Sequence, residues 1–199
     1  QRIQNRYEGL LYPREGFMAN NPNAGRPFDP EVGPVNQASS DVLIPAFLAA
    51  YTGTDAKKIY LTPFPSLRHI LPNWRVTYDG LLRVAGLDRW FKNITLNHAY
   101  QCTYTVGSYS SYLNWIGVNG TLGFNQDELT QQPVPSSPYN ISSVAITERF
   151  APLIGFQFTL KNDLKFNAEY RNGRTLTLNS DAGQLVEAQN KGLIIGVGY

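Results

Sequence analysis

The sequence is poor in cysteine, in charge and in long apolar runs, and each shortage excludes a class of protein. Its 199 residues include one cysteine, Cys102, which excludes an intrachain disulfide framework, a four-cysteine zinc site and a CxxC redox pair. Charged residues make up 16% of the chain and aromatic residues 13%, unlike the balance in disordered or nucleic-acid-coating chains. With a net charge of only +2, we expect a folded chain without a nucleic-acid partner.

Long apolar runs are missing as well. A transmembrane helix needs about 20 mostly apolar residues. The best stretch, Val42 to Thr54, has thirteen residues and is interrupted by Pro45, so no helix is expected to span a bilayer. A membrane β-barrel stays possible, because only every second residue of its strands must be apolar.

Residues that could carry catalysis are sparse. The two histidines, His69 and His98, have no GxSxG elbow or HExxH helix beside them. Glu148, Glu169 and Glu187 lie on separate predicted strands, where single carboxylates usually solvate a surface or line a lumen. We therefore expect no enzyme activity, no catalytic residues, no cofactor and no metal site.

The N-terminal third is expected to be mostly irregular over residues 1–72, with one short helix over 42–51. Asp41 stands before good helix formers as a predicted N-cap, and Gly53 follows them as a predicted C-cap. Three prolines between 62 and 72 predict an extended connector.

From residue 73 onward the hydrophobic period changes to two, which is typical of β-strands. Between Lys92 and Val106 even positions are mostly apolar and odd positions mostly polar, over a length that is unusual for a soluble strand. Similar alternation recurs over 154–161, 164–171 and 175–179, and with apolar odd positions over 185–199.

The connections predict how these strands pair. Asn162-Asp163 and Asn172-Gly173 are two-residue links with the residue types that tight hairpins prefer. We therefore predict an all-β fold, an antiparallel meander of long strands over 73–199 with a long loop at about 107–141. Six or seven strands are too few to close a barrel, so the chain is expected to be a fragment forming part of a large transmembrane barrel.

The alternation also assigns faces within this predicted barrel. The residues predicted to face lipid are Ile94, Leu96, Tyr100, Tyr104, Phe156, Phe158, Phe166 and Tyr170. The residues predicted to face a wet lumen are Thr95, Asn97, Gln101, Thr103, Gln157, Asn167, Glu169 and Arg171. The short helix, which cannot span, is expected to pack inside the lumen or against the periplasmic rim.

Several segments resemble one family in both order and spacing. They are SSDVLIPAFLAAYTG (39–53), LTPFPSL (61–67), LPNWRVTYDGL (71–81), ITLNHAYQCTYTVGSY (94–109), PVPSSPYNISSVAITERFAPLIGF (133–156), AEYRNGRTLTLN (168–179) and GLIIGVGY (192–199). Together they resemble the SprA/Sov translocon of the Bacteroidetes type 9 secretion system, which is linked to gliding motility in some members. Residues 1–38 match only weakly.

This resemblance implies a C-terminal piece of a very large single-chain barrel in the cell outer membrane that exports proteins. It implies outer-membrane lipid and secreted cargo proteins as partners, together with a PorV-type barrel and a periplasmic plug protein. The family supplies no catalytic residues. Two alternatives stay open on the residues alone: a porin or transporter barrel for small solutes, and a soluble secreted β-sheet adhesin or structural domain.

Overall fold

A computed structural model describes residues 7–28, 39–55, 58, 62, 64, 73–83 and 86–199. In chain order its α-helix and strands are α1 Ser40–Thr52, β1 Trp74–Tyr78, β2 Phe91–Val106, β3 Tyr109–Ser111, β4 Ile116–Asn119, β5 Leu122–Gln126, β6 Pro133–Ser136, β7 Tyr139–Ile141, β8 Ser143–Leu160, β9 Lys165–Asn179 and β10 Gln184–Gly198. Short 3-10 turns cover Gly16–Met18, Gly80–Arg83 and Leu87–Arg89. The predicted all-β class with antiparallel sheets and one short helix is confirmed.

Contacts divide the chain into two compact units that do not follow the chain order. Unit 1 combines Gln1–Ser66, Val106–Val144 and Leu178–Leu185. Unit 2 combines Leu67–Thr105, Ala145–Thr177 and Val186–Tyr199. No helix in the described part of the chain is both long and apolar enough to cross a membrane.

The longest strands form one five-stranded sheet in the order β1-β2-β8-β9-β10. Strand β2 covers the fifteen residues whose alternation predicted it and begins one residue earlier, at Phe91. Strand β1 pairs with it antiparallel, and Val76 lies opposite His98. Within the described strands this sheet does not close, because β1 and β10 each have a neighbour on one side only.

One of the two predicted hairpins is confirmed. Strands β8 and β9 are joined at Asn162-Asp163, where Asp163 takes the left-handed conformation with φ of 68°. The Leu160 amide closes the turn by donating to the Leu164 carbonyl at 2.8 Å. An Asn side chain supports it, since Asn162 Oδ1 accepts from the Leu164 amide at 3.3 Å.

The hairpin predicted at Asn172-Gly173 is wrong, because β9 runs through both residues to Asn179. A side chain at Gly173 would meet the Glu148 carbonyl of β8 at 3.4 Å, an ordinary contact, so neither a turn nor a close approach requires glycine there. The chain reverses after Asn179, where Gly183 has φ of 61° and the Ala182 amide donates to Asn179 Oδ1 at 3.0 Å.

The segment expected as a long loop at about 107–141 is largely structured and belongs to unit 1. It forms a two-stranded sheet, β3-β7, and a three-stranded sheet, β4-β5-β6. Phe124 of β5 is fully buried with Tyr7 and Phe28, and its ring centroid lies 4.8 Å from that of Tyr12. Prolines in β6 are compatible with this short strand, which has β5 as its one neighbour.

Helix α1 is also part of unit 1 and begins two residues before the predicted start. Ser39 occupies the N-cap position, so the prediction of Asp41 as N-cap is wrong. Asp41 instead lies in the first turn, where its carboxylate accepts from the Tyr7 hydroxyl at 3.0 Å and the Ser137 amide at 2.9 Å. Gly53, with φ of 64°, ends the helix as predicted. The predicted connector at 62–72 lies outside the described residues except for Thr62 and Phe64.

Two glycine substitutions test where β9 turns. We expect Gly173→Ala to stabilise the fold by about 0.5–1 kcal/mol, because an alanine loses less backbone entropy in a strand and has room there. Gly183→Ala should destabilise it by about 1–2 kcal/mol, because an L side chain at positive φ is strained. Urea unfolding of the two variants measures both changes. If the hairpin were at 172–173, Gly173→Ala would be the destabilising variant and Gly183→Ala the tolerated one.

Candidate functional site

The five-stranded sheet has two chemically different faces, and ring contacts show which residues share one. The ring of Tyr100 on β2 lies 4.8 Å from that of Phe150 on β8, and Phe158 on β8 lies 5.0 Å from Phe166 on β9. Since alternate residues of a strand share a face, even-numbered residues of these three strands form one surface. We call it the apolar face and its reverse the polar face.

Strand β10 has the opposite parity. Gly196 lies directly against the side chain of Asn167, an odd-numbered residue of β9. Even-numbered residues of β10 therefore lie on the polar face. Its odd-numbered residues, which include the exposed Leu193, Ile195 and Val197, extend the apolar face.

All residues predicted to face lipid have apolar-face parity. They are Ile94, Leu96, Tyr100, Tyr104, Phe156, Phe158, Phe166 and Tyr170. Aromatic rings join several of them across strands, and Phe156 also contacts Phe158 with 5.5 Å between centroids. Ile94 departs from the expectation, because at 2% exposure its side chain is covered by the protein itself.

All residues predicted to face a lumen have polar-face parity. They are Thr95, Asn97, Gln101, Thr103, Gln157, Asn167, Glu169 and Arg171. Asn97 accepts a hydrogen bond from Thr77 of β1 at 3.1 Å. Arg171 donates to the carboxylate of Glu169 at 2.7 Å, so these two charges neutralise each other. The remaining members are neutral amides and hydroxyls.

Strand β1 adds residues whose face the sequence alone did not assign. Trp74, Val76 and Tyr78 lie opposite Tyr100, His98 and Leu96, so they extend the apolar face and are exposed. Five residues are too few to establish a period by themselves. The aromatic residues at both ends of β1 were the available signal.

A polar network interrupts the apolar face, and sequence reasoning missed it. The Tyr100 hydroxyl donates to Glu148 Oε1 at 3.0 Å, and Arg174 Nε donates to Glu148 Oε2 at 2.7 Å. One carboxylate thus joins β2, β8 and β9. The signal in the sequence was that Glu148 and Arg174 break the apolar parity of their own strands.

The tip of the β8-β9 hairpin carries a second charged contact. Lys92, at the start of β2, donates to the carboxylate of Asp163 and forms an ion pair with it. Both side chains are exposed, so the pair contributes little to stability. The hydrogen bond from Lys92, together with its positive charge, lowers the pKa of Asp163.

His98 is a packed histidine of the apolar face. Its Nδ1 donates to the carbonyl oxygen of Leu153 at 2.6 Å, and its ring lies 5.9 Å from that of Phe150. This contact with a carbonyl oxygen satisfies one ring nitrogen of a residue among apolar neighbours. The other histidine, His69, lies outside the described residues.

The carboxylates are not arranged as an acid–base pair. Glu148 and Glu169 lie on opposite faces of the sheet, and each is paired with an arginine. Glu187 accepts from the Gln189 side chain at 2.9 Å. Across the described ranges, no three His, Cys, Asp or Glu side chains are grouped so as to hold a metal ion. The feature with functional potential is therefore a surface, the two-faced sheet.

No protein-family model matches the chain, and no curated protein matches it significantly.

The hairpin ion pair makes a pH-dependent prediction. Because its folded-state pKa is lowered, Asp163 should stabilise the hairpin at neutral pH and lose this contribution as the pH falls through the lowered value. A carboxyl NMR titration should place Asp163 below its ordinary pKa, and Lys92→Met should bring the value back up. Unchanged titration in Lys92→Met would contradict the contact.

Proposed function

We propose that this chain forms part of the wall of an outer-membrane protein-export channel of the SprA/Sov type, the type 9 secretion translocon linked in some members to gliding motility. The observation that carries the proposal is the two-faced sheet of long antiparallel strands, apolar and aromatic on one side and polar on the other. Such alternation is what a wall between lipid and a wet lumen requires.

The exposed apolar side chains support the lipid side of this proposal. Ile154 on β8 is 63% exposed, and Ile195 on β10 is 60% exposed. They continue a surface that includes the aromatic residues of β1, β2, β8 and β9. Large contiguous apolar patches on a protein mark a surface that something covers. In this proposal the cover is the acyl region of the outer membrane.

The composition of the polar face supports the lumen side. Threonine, asparagine and glutamine dominate it on β2, and the charges of Glu169 and Arg171 are paired with each other. Because no odd-numbered residue of β2 is charged, this part of a hydrated wall offers passing proteins few strong contacts. Secreted cargo would therefore slide along it without being retained.

The open edges fit a larger assembly. Strand β10 has fifteen residues and is hydrogen-bonded to β9 alone among the described strands, and β1 is paired with β2 alone. Unpaired backbone groups are very costly in hydrocarbon, so membrane sheets close into barrels. The proposal therefore requires further strands on both edges. The PorV-type barrel and the periplasmic plug protein come from the family resemblance only.

A pair of adjacent arginine substitutions tests the proposal. Phe166→Arg, on the apolar face three residues from Asp163 at the hairpin tip, should cost about 1–3 kcal/mol of folding free energy in a bilayer, between the penalties at the midplane and at the interface. Asn167→Arg, on the polar face, should be nearly neutral because water surrounds it. Both are measured as urea-dependent folding, into phosphatidylcholine vesicles, of the whole barrel to which the proposal assigns this chain.

The two variants control for each other, since they add the same charge to neighbouring residues of one strand. Equal costs would contradict the assignment of faces. A wild-type chain that folds by itself and is monodisperse without detergent would instead support a soluble β-sheet domain and contradict the channel wall.

A further inference from the structure

We propose that the network of Tyr100, Glu148 and Arg174 lies at the boundary between the acyl region and the headgroup region of the bilayer. This inference rests on the proposed function and adds the depth in the bilayer at which these residues lie. The occupant of the apolar face is lipid, with acyl chains between this network and the β8-β9 hairpin tip and headgroups at the network itself.

The first support is that the polar residues form a row across the sheet. Tyr100, Glu148 and Arg174 join β2, β8 and β9 through one carboxylate. Gln189 and Lys191 of β10 line the same depression as Glu148 and Arg174 and have apolar-face parity. Four neighbouring strands thus each carry a polar residue at one level of the apolar face.

The second support is the change in burial across this row on the three inner strands. On one side, Cys102, Ile146 and Leu178 are 3%, 1% and 6% exposed, so the protein itself covers the face. On the other side, Ile154 of β8 is 63% exposed, although Ile94 of β2 is covered by the protein itself. The large apolar residues of these three strands that are exposed, Ile154 and Tyr170, both lie between the row and the hairpin tip.

The third support is the length of the apolar band between the polar row and the β8-β9 hairpin tip. It runs along β2 from Lys92, which is paired with Asp163 at the hairpin tip, to Tyr100. Eight residue steps at about 3.3 Å each span about 26 Å along the strand. At a strand tilt of about 40° this gives about 20 Å across the membrane, close to the apolar band of about 25 Å in outer-membrane barrels.

The fourth support is the chemistry of the boundary residues. Trp74 packs on Tyr100 with 4.5 Å between ring centroids, and both rings carry a polar atom at one end. Tryptophan and tyrosine prefer the bilayer interface, where the ring contacts hydrocarbon and the polar atom contacts water. Arg174 is paired with Glu148, which lowers the cost of a charge near hydrocarbon.

This boundary sharpens the sequence-based assignment at one residue. Tyr104 lies four residues beyond Tyr100 on β2, away from the hairpin end. It therefore falls outside the acyl region, although its parity is that of the apolar face. The three aromatic residues Phe156, Phe158 and Phe166 stay within the band.

The test measures depth along β10, whose exposed residues should tolerate spin labels. Single cysteines replace Glu187, Gln189, Leu193, Ile195 or Val197 in a cysteine-free background that includes Cys102→Ser. The whole barrel to which the proposal assigns this chain is folded into phosphatidylcholine–phosphatidylglycerol vesicles. Collision rates of the attached nitroxide with oxygen and with a water-soluble nickel chelate report depth. We expect oxygen to dominate at Leu193, Ile195 and Val197, and nickel to dominate at Gln189 and Glu187. A label replacing Asn190, on the polar face, is the matched control for water access.

The outcomes separate the two proposals. Oxygen-dominated collisions that continue through Gln189 to Glu187 would overturn the boundary and leave the membrane wall intact. Nickel-dominated collisions at all five apolar-face positions would overturn the proposed function together with the boundary. A depth profile that crosses from oxygen to nickel between Leu193 and Gln189 supports both.

Discussion

The pleat of the β-strand is the constraint on which the five-stranded sheet depends. Alternate side chains point to opposite faces, so a strand of fifteen or more residues that keeps one parity builds two continuous surfaces. Cross-strand register must preserve that parity, since a slip of one residue exchanges the faces. The contacts of Tyr100 with Phe150 and of Phe158 with Phe166 show this shared parity at two levels of β2, β8 and β9. It is broken locally at Pro152 of β8, which lies against Gly155, and at Phe91, which begins β2 and contacts Phe158. On strand β10 the odd-numbered residues lie on the apolar face and the even-numbered residues on the polar face.

Unit 1 is stabilised in a different way, by contacts between segments far apart in the chain. Tyr7, Phe28 and Phe124 bury their rings together, although nearly a hundred residues separate the last two. Asp41 connects the start of α1 to Tyr7 and to the Ser137 amide. Because α1 is apolar on most sides, it needs neighbours all round, and most of its apolar residues are buried. Short strands suffice here, because burial of aromatic rings rather than strand length supplies the stability.

Several of the charges on the five-stranded sheet are paired side chain to side chain. Glu148 is paired with Arg174, Glu169 with Arg171 and Asp163 with Lys92. Two of these pairs lie on the apolar face or at its hairpin end, and one lies on the polar face. Paired charges cost less beside hydrocarbon than single ones and attract passing proteins less strongly. The same arrangement therefore serves both sides of the wall that we propose.

Local patterns in the sequence determined the all-β class, the long strands and the alternation of their faces. They also determined the helix and the hairpin at Asn162-Asp163. Periodicity and turn chemistry act between neighbouring residues, so a short stretch of sequence is enough to show them. Tertiary structure decided the rest. Asn172-Gly173 has the chemistry of a tight turn, yet β8 and β10 flank β9 there and keep it extended. The short strands between 107 and 141 exist because they pair with one another and pack on residues from the N-terminal third, a non-local gain that no short window records. The Tyr100–Glu148–Arg174 network likewise needs three strands in register, and register is set by the whole sheet.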